Sequence, residues 1–161
     1  MYSLLHYFSP NKFLKFRGNF PVHDPSTGDI LLKLPRMSAE DVNLVAKMAM
    51  EAWSTWRLST PRERSKFLQK IASLIQRDID DLASIITLET GKPLSESRGE
   101  IAYGLSYFEF YAEETKRIHG DIIPSPGRGR KLLMTKHPIG PAALVTPWNF
   151  PFAMVARKVY S

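Results

Sequence analysis

Thr146-Pro147-Trp148-Asn149-Phe150-Pro151 follows the apolar run Ala142 to Val145 and precedes a segment with helical character. This order reads as a buried strand that ends in a stiff loop and hands over to a helix. Pro147 and Pro151 fix φ at their own positions and bias Thr146 and Phe150 toward extended backbone. Asn149 therefore sits in a short, rigid connection. An Asn side chain donates two hydrogen bonds without carrying charge, which suits it to stabilising an oxyanion in carbonyl chemistry. Asn is equally a common cap for a following helix, and spacing alone leaves both readings open.

Upstream of this stretch the punctuation is mainly helical. Pro25 to Gly28 marks a turn before a short strand, Ile30 to Leu34, which together predict an edge β-hairpin. Ser38 stands three residues before Asp41, and Val42, Val45, Ala46, Ala49, Trp53 and Trp56 recur at three- and four-residue spacing, so an amphipathic helix follows whose aromatic end is expected in the core. Thr60, Pro61 and Glu63 form a second start signal. The apolar positions Phe67, Leu68, Ile71, Leu74, Ile75, Ile79, Leu82 and Ile86 carry that helix to about Thr90, where Gly91 caps it and Pro93 prevents continuation. A third helix begins near Ser95, with Ile101, Leu105, Phe108 and Ala112 on one face and Gly99 and Gly104 permitting close packing. It ends around His119-Gly120, a histidine with no second ligand at metal spacing. The pattern then turns extended, with strand-like runs at Lys131 to Lys136 and Ala142 to Val145.

The loop resembles the Thr-Pro-Trp-Asn-Phe-Pro signature of the NAD(P)-dependent aldehyde dehydrogenase superfamily. Asp24-Pro25-Ser26-Thr27-Gly28-Asp29 is similar to that family's early turn, and Glu89-Thr90-Gly91-Lys92-Pro93 to its Glu-x-Gly-Lys-Pro segment. Met154-Val155-Ala156-Arg157-Lys158 resembles the Met-Ile-Thr-Arg-Lys run of the succinate-semialdehyde dehydrogenase branch. The resemblance spans about Phe20 to Val159 and covers the opening portion of the family's polypeptide. It implies an α/β fold, the N-terminal part of a Rossmann-like cofactor-binding domain, incomplete, with helices, an edge β-hairpin and the first parallel strand at Ala142 to Val145. It also implies a protruding β element used in subunit association, hence a homo-oligomer. No Gly-x-Gly-x-x-Gly follows the strand, but this family binds its cofactor without that fingerprint.

By the same resemblance, Asn149 donates to the oxyanion. Val145, Thr146, Pro147 and Trp148 line the NAD or NADP site through backbone contacts, and Phe150, Met154 and Arg157 face the substrate. A guanidinium is permanently charged and presents a planar fork to carboxylates, so Arg157 points to an aldehyde with a distal carboxylate such as succinate semialdehyde. The family's nucleophile is a cysteine, and the chain has none. Its general base and cofactor lysine are expected beyond residue 161. The chain alone is therefore expected to be inactive, either as a piece of the enzyme, as a non-catalytic interaction module, or as a truncated splice or gene-model product.

Composition narrows the remaining classes. The 161 residues, 43% hydrophobic, suffice for one core. Twenty-two basic and 16 acidic residues give +6, but only Arg128, Arg130 and Lys131 cluster, without the interleaved aromatics that stack on bases, so a nucleic-acid partner is not indicated. No run approaches the ~18 apolar residues of a membrane span. No metal site is indicated. Residues 1–20 form a presequence or a divergent extension ahead of the domain at 21–161. The first 23 residues hold Lys12, Lys15 and Arg17 and no acid, which suits a mitochondrial presequence, the cytoplasm being the alternative.

Overall fold

The computed structural model describes residues 18–159. The presequence expectation falls mostly outside them. Strands β1 (Asn19–His23) and β2 (Ile30–Pro35) pair antiparallel across a bulge at Val22/His23. Between them Asp24 accepts from the Ser26 amide at 2.8 Å, and Gly28 takes a positive φ of 81° to close the turn, a conformation open to glycine because it has no Cβ. This is the expected hairpin.

Helix α1 (Ala39–Trp56) starts with the predicted capping box. The Ser38 amide donates to Asp41 Oδ2 at 2.7 Å and the Asp41 amide to Ser38 Oγ at 3.3 Å. Its aromatic end departs from expectation. Trp56 is 46% exposed and meets the 55% exposed Phe67 edge-on, with centroids 5.6 Å apart. Of the stripe, Val42, Val45, Ala46 and Trp56 are exposed and Ala49 and Trp53 half-buried, and Asp41 is the one buried residue of α1.

The helix expected to run unbroken from Pro61 to Thr90 is two helices, α2 (Pro61–Arg77) and α3 (Ile79–Thr90). Asp78 leaves helical geometry at φ −104° and ψ 19°. Its carboxylate is gripped by the Arg77 guanidinium through two 2.7 Å bonds. Asp suits helix ends because its short side chain competes for nearby backbone groups. The apolar repeat continues across the break, so periodicity conceals it. Gly91 ends α3 at φ 72°, as its position predicts.

Helix α4 (Leu94–Glu114) is the axis of the core. Ser97, Glu100, Ile101, Gly104, Leu105, Phe108 and Ala112 are buried along it. Ile101, Leu105 and Phe108 pack with Ala72 and Ile75 of α2, Ala83 and Ile86 of α3, and Ala156 of α5 (Ala153–Lys158). After α4 comes a 3₁₀ turn, Thr115–Arg117. Strand β3 (Asp121–Ile123), absent from the sequence reading, then pairs antiparallel with β4 (Leu132–Met134), which lies within the predicted Lys131 to Lys136 run. Residues 142–145 form no strand. A parallel strand needs neighbours to satisfy its backbone groups, and the described strands pair only in these two separate hairpins. The molecule is α/β as expected, without the expected parallel strand.

Candidate functional site

Three short stretches far apart in sequence meet beside α4. The first pair is the hairpin turn and the end of α3: a Cβ on Gly91 would stand 3.1 Å from Pro25 Cγ. The second link is Lys92, whose Nζ donates to the backbone carbonyl of Asn149 at 3.0 Å. The ammonium also lies 4.3 Å from the centre of the Phe150 ring, within cation–π range. Pro25, Gly91-Lys92 and Asn149-Phe150 thus form one continuous patch.

Glu100 is the anchor of that patch. Its side chain is 1% exposed and forms an ion pair with Lys92 at 2.5 Å through Oε2. A buried carboxylate is stable only when paired and hydrogen-bonded. Oε1 accepts from the amides of Phe152 at 2.9 Å and Ala153 at 3.2 Å, the unpaired donors at the start of α5. Gly104 lets this junction close, because a Cβ there would stand 2.5 Å from Cδ1 of the Phe152 ring. Gly99, the other glycine of that helix, faces open space and has no such role.

This arrangement separates the readings left open for Asn149. The N-cap of α5 is Phe152, with no side-chain cap bond from within the segment, and Glu100 fills that place from α4. The Asn149 side chain is exposed and hydrogen-bonds to no described residue. Asn149 is held by its backbone while its amide remains available.

Phe150, Met154 and Arg157 follow at helical spacing, and the Met154 amide donates to the Phe150 carbonyl at 3.0 Å. Met154 is half-buried, while Phe150 and Arg157 are exposed. Arg157 has no acidic partner among the described residues. It lies near Tyr107 of α4. A hydrogen bond between the hydroxyls of Tyr103 and Tyr107 holds the Tyr107 phenol above its ordinary value of 10.0, against the opposing pull of the Arg157 charge.

Val145, Pro147 and Trp148 are exposed and Thr146 is half-buried, with Val145 at 83% and Trp148 at 85%. No hydrogen bond joins these residues to another described residue. The stretch expected to line the cofactor is thus open, its backbone groups hydrogen-bonded to no described residue. No trio of His, Asp or Glu converges among the described residues, and no described helix is long and apolar enough to cross a membrane.

Sequence reading missed Glu100. Nothing at its position separates it from the exposed acids of α4 except its place on the buried stripe, four residues before Gly104 and one before Ile101. Lys92 was visible as part of a motif but without a partner.

Over 140 residues the chain is 44% identical to 3-sulfolactaldehyde dehydrogenase of Pseudomonas putida, covering 87% of this chain and 29% of that protein. It is 43% identical over 152 residues to the mitochondrial succinate-semialdehyde dehydrogenase of Homo sapiens, covering 94% and 28%. The crystal structure of succinate-semialdehyde dehydrogenase from Burkholderia pseudomallei superposes with a TM-score of 0.86 at 45% identity, over 89% of this chain and 30% of that one. The chain thus spans less than a third of these relatives. The model of the aldehyde dehydrogenase family matches residues 14–161, and the chain belongs to that family.

Proposed function

We propose that the polypeptide carrying this segment oxidises an aldehyde with a distal anionic group, succinate semialdehyde first among them, to the carboxylic acid. The observation that carries the reading is the presence of an available Asn149 amide in the connection and an unpaired Arg157 guanidinium on the helix α5 that follows it. Addition of a nucleophile to the aldehyde carbon places negative charge on its oxygen, and Asn149 donates an N–H to that charge as it develops. Arg157 binds the far end of the substrate by charge-assisted hydrogen bonds, with Phe150 and Met154 as the apolar wall between. The names of both curated relatives support this, since sulfolactaldehyde and succinate semialdehyde each carry an anion away from the aldehyde.

NAD or NADP supplies the hydride acceptor when bound. The exposed backbone of Val145 to Trp148 fits one wall of such a site. The thiol nucleophile belongs to another part of the polypeptide, because this segment contains no cysteine. The mitochondrial name of the human relative and the acid-free stretch before Asp24 support a mitochondrial location.

The test is Asn149→Ala in the full-length enzyme that carries this segment. Loss of one oxyanion donor should lower kcat by about 10²- to 10³-fold with succinate semialdehyde and with a short aliphatic aldehyde alike. An unchanged kcat with both would remove Asn149 from the chemistry.

A further inference from the structure

We infer that Lys92 and Glu100 form a clamp that positions Asn149 for its work, an inference that rests on the proposed oxyanion role. Both ends of the connection from Asn149 to Ala153 are held by this pair. Lys92 Nζ bonds the Asn149 carbonyl at 3.0 Å, and Glu100 Oε1 bonds the Phe152 and Ala153 amides at 2.9 and 3.2 Å. The ion pair at 2.5 Å couples the two grips, and the Glu100 side chain is 1% exposed. Within the span, Pro151 removes one backbone freedom. The grip reaches 57 residues along the chain, from the end of α3 to Asn149. Helix capping alone accounts for Glu100 Oε1. It does not account for the second bond of Lys92, which is made to the carbonyl of the residue that offers the free amide. A donor displaced by about 1 Å from its productive place loses on the order of 10²-fold in rate, so holding the Asn149 backbone has a direct kinetic consequence.

The clamp is tested by a double-mutant cycle in the full-length enzyme, crossing Lys92→Met with Asn149→Ala. Lys92→Met keeps an unbranched side chain of similar length and removes the ammonium that lies 4.3 Å from the Phe150 ring centre. Alone it should lower kcat by about ten- to a hundredfold with both aldehydes, with little change in KM for succinate semialdehyde. On top of Asn149→Ala it should cost less than about twofold, because the group it positions is gone. Lys92→Arg should recover part of the loss. Multiplicative losses in the double variant, or an unchanged kcat in Lys92→Met, would overturn the inference. Amide exchange gives a second reading that does not depend on activity or on the role of Asn149. In folded Glu100→Gln enzyme the Phe152 and Ala153 amides should exchange at least about tenfold faster while core amides of α4 hold their protection. Unchanged exchange at both amides would overturn the clamp even where aldehyde oxidation fails.

Discussion

Asn149 and Arg157 divide the proposed labour between chemistry and recognition. Their side chains share one property: neither has a hydrogen-bonding or charged partner among the described residues. Replacing Arg157 by Leu in the full-length enzyme should remove charge-assisted hydrogen bonds to a distal carboxylate, each contributing about 1.5 to 3 kcal/mol. The efficiency for succinate semialdehyde should fall roughly ten- to more than a hundredfold relative to a short aliphatic aldehyde, read as the ratio of kcat/KM values. Equal losses for both aldehydes would make Arg157 a structural residue. The loop at 146–151 was legible because two prolines around one amide are rare and rigid. Glu100 was not, because a buried acid on an amphipathic helix looks like any other acid until its partners, more than fifty residues away along the chain for Phe152 and Ala153, come into contact.

The starts of α1 and α2 were the most legible boundaries, since a capping box is local chemistry. Ser38→Ala should lower stability by about 0.5 to 2 kcal/mol, measured by denaturant unfolding. At Thr60, the backbone amide and hydroxyl both donate to Glu63 Oε2, at 2.7 and 2.8 Å. They hold the Glu63 carboxyl below its ordinary value of 4.5. A carboxyl with a depressed folded value stabilises the fold above 4.5, and that contribution is lost as pH falls through the lowered value. The stability difference between the natural protein and Glu63→Gln should therefore shrink on acidification below pH 4.5. A difference that stays constant into the acid range would contradict the box. The break at Asp78 and the missing strand at 142–145 were illegible for opposite reasons. At Asp78 the apolar repeat runs on through a local interruption. At 142–145 an apolar run carries strand preference, but a strand exists only where another backbone completes it.

Across the whole molecule, the buried core lies along α4, and the surfaces outside it carry much apolar area. Val145, Trp148, Ile122 and Leu133 are 83%, 85%, 76% and 74% exposed. Ile122 and Leu133 are cross-strand partners, and adjoining exposed apolar side chains mark surfaces that associate. The purified 161-residue chain should self-associate, visible as a concentration-dependent mass in light scattering; a monodisperse monomer with a sharp cooperative melt would contradict this. On the proposed reading, this segment supplies the oxyanion donor and the anion-recognising arginine of a site whose nucleophile it does not contain. The most direct measurement is NAD(P) reduction with succinate semialdehyde by the 161-residue chain alone and by the full-length enzyme, at equal molar concentration. Steady turnover by the full-length enzyme and none by the chain is the expected result. Steady turnover by the cysteine-free chain would contradict it.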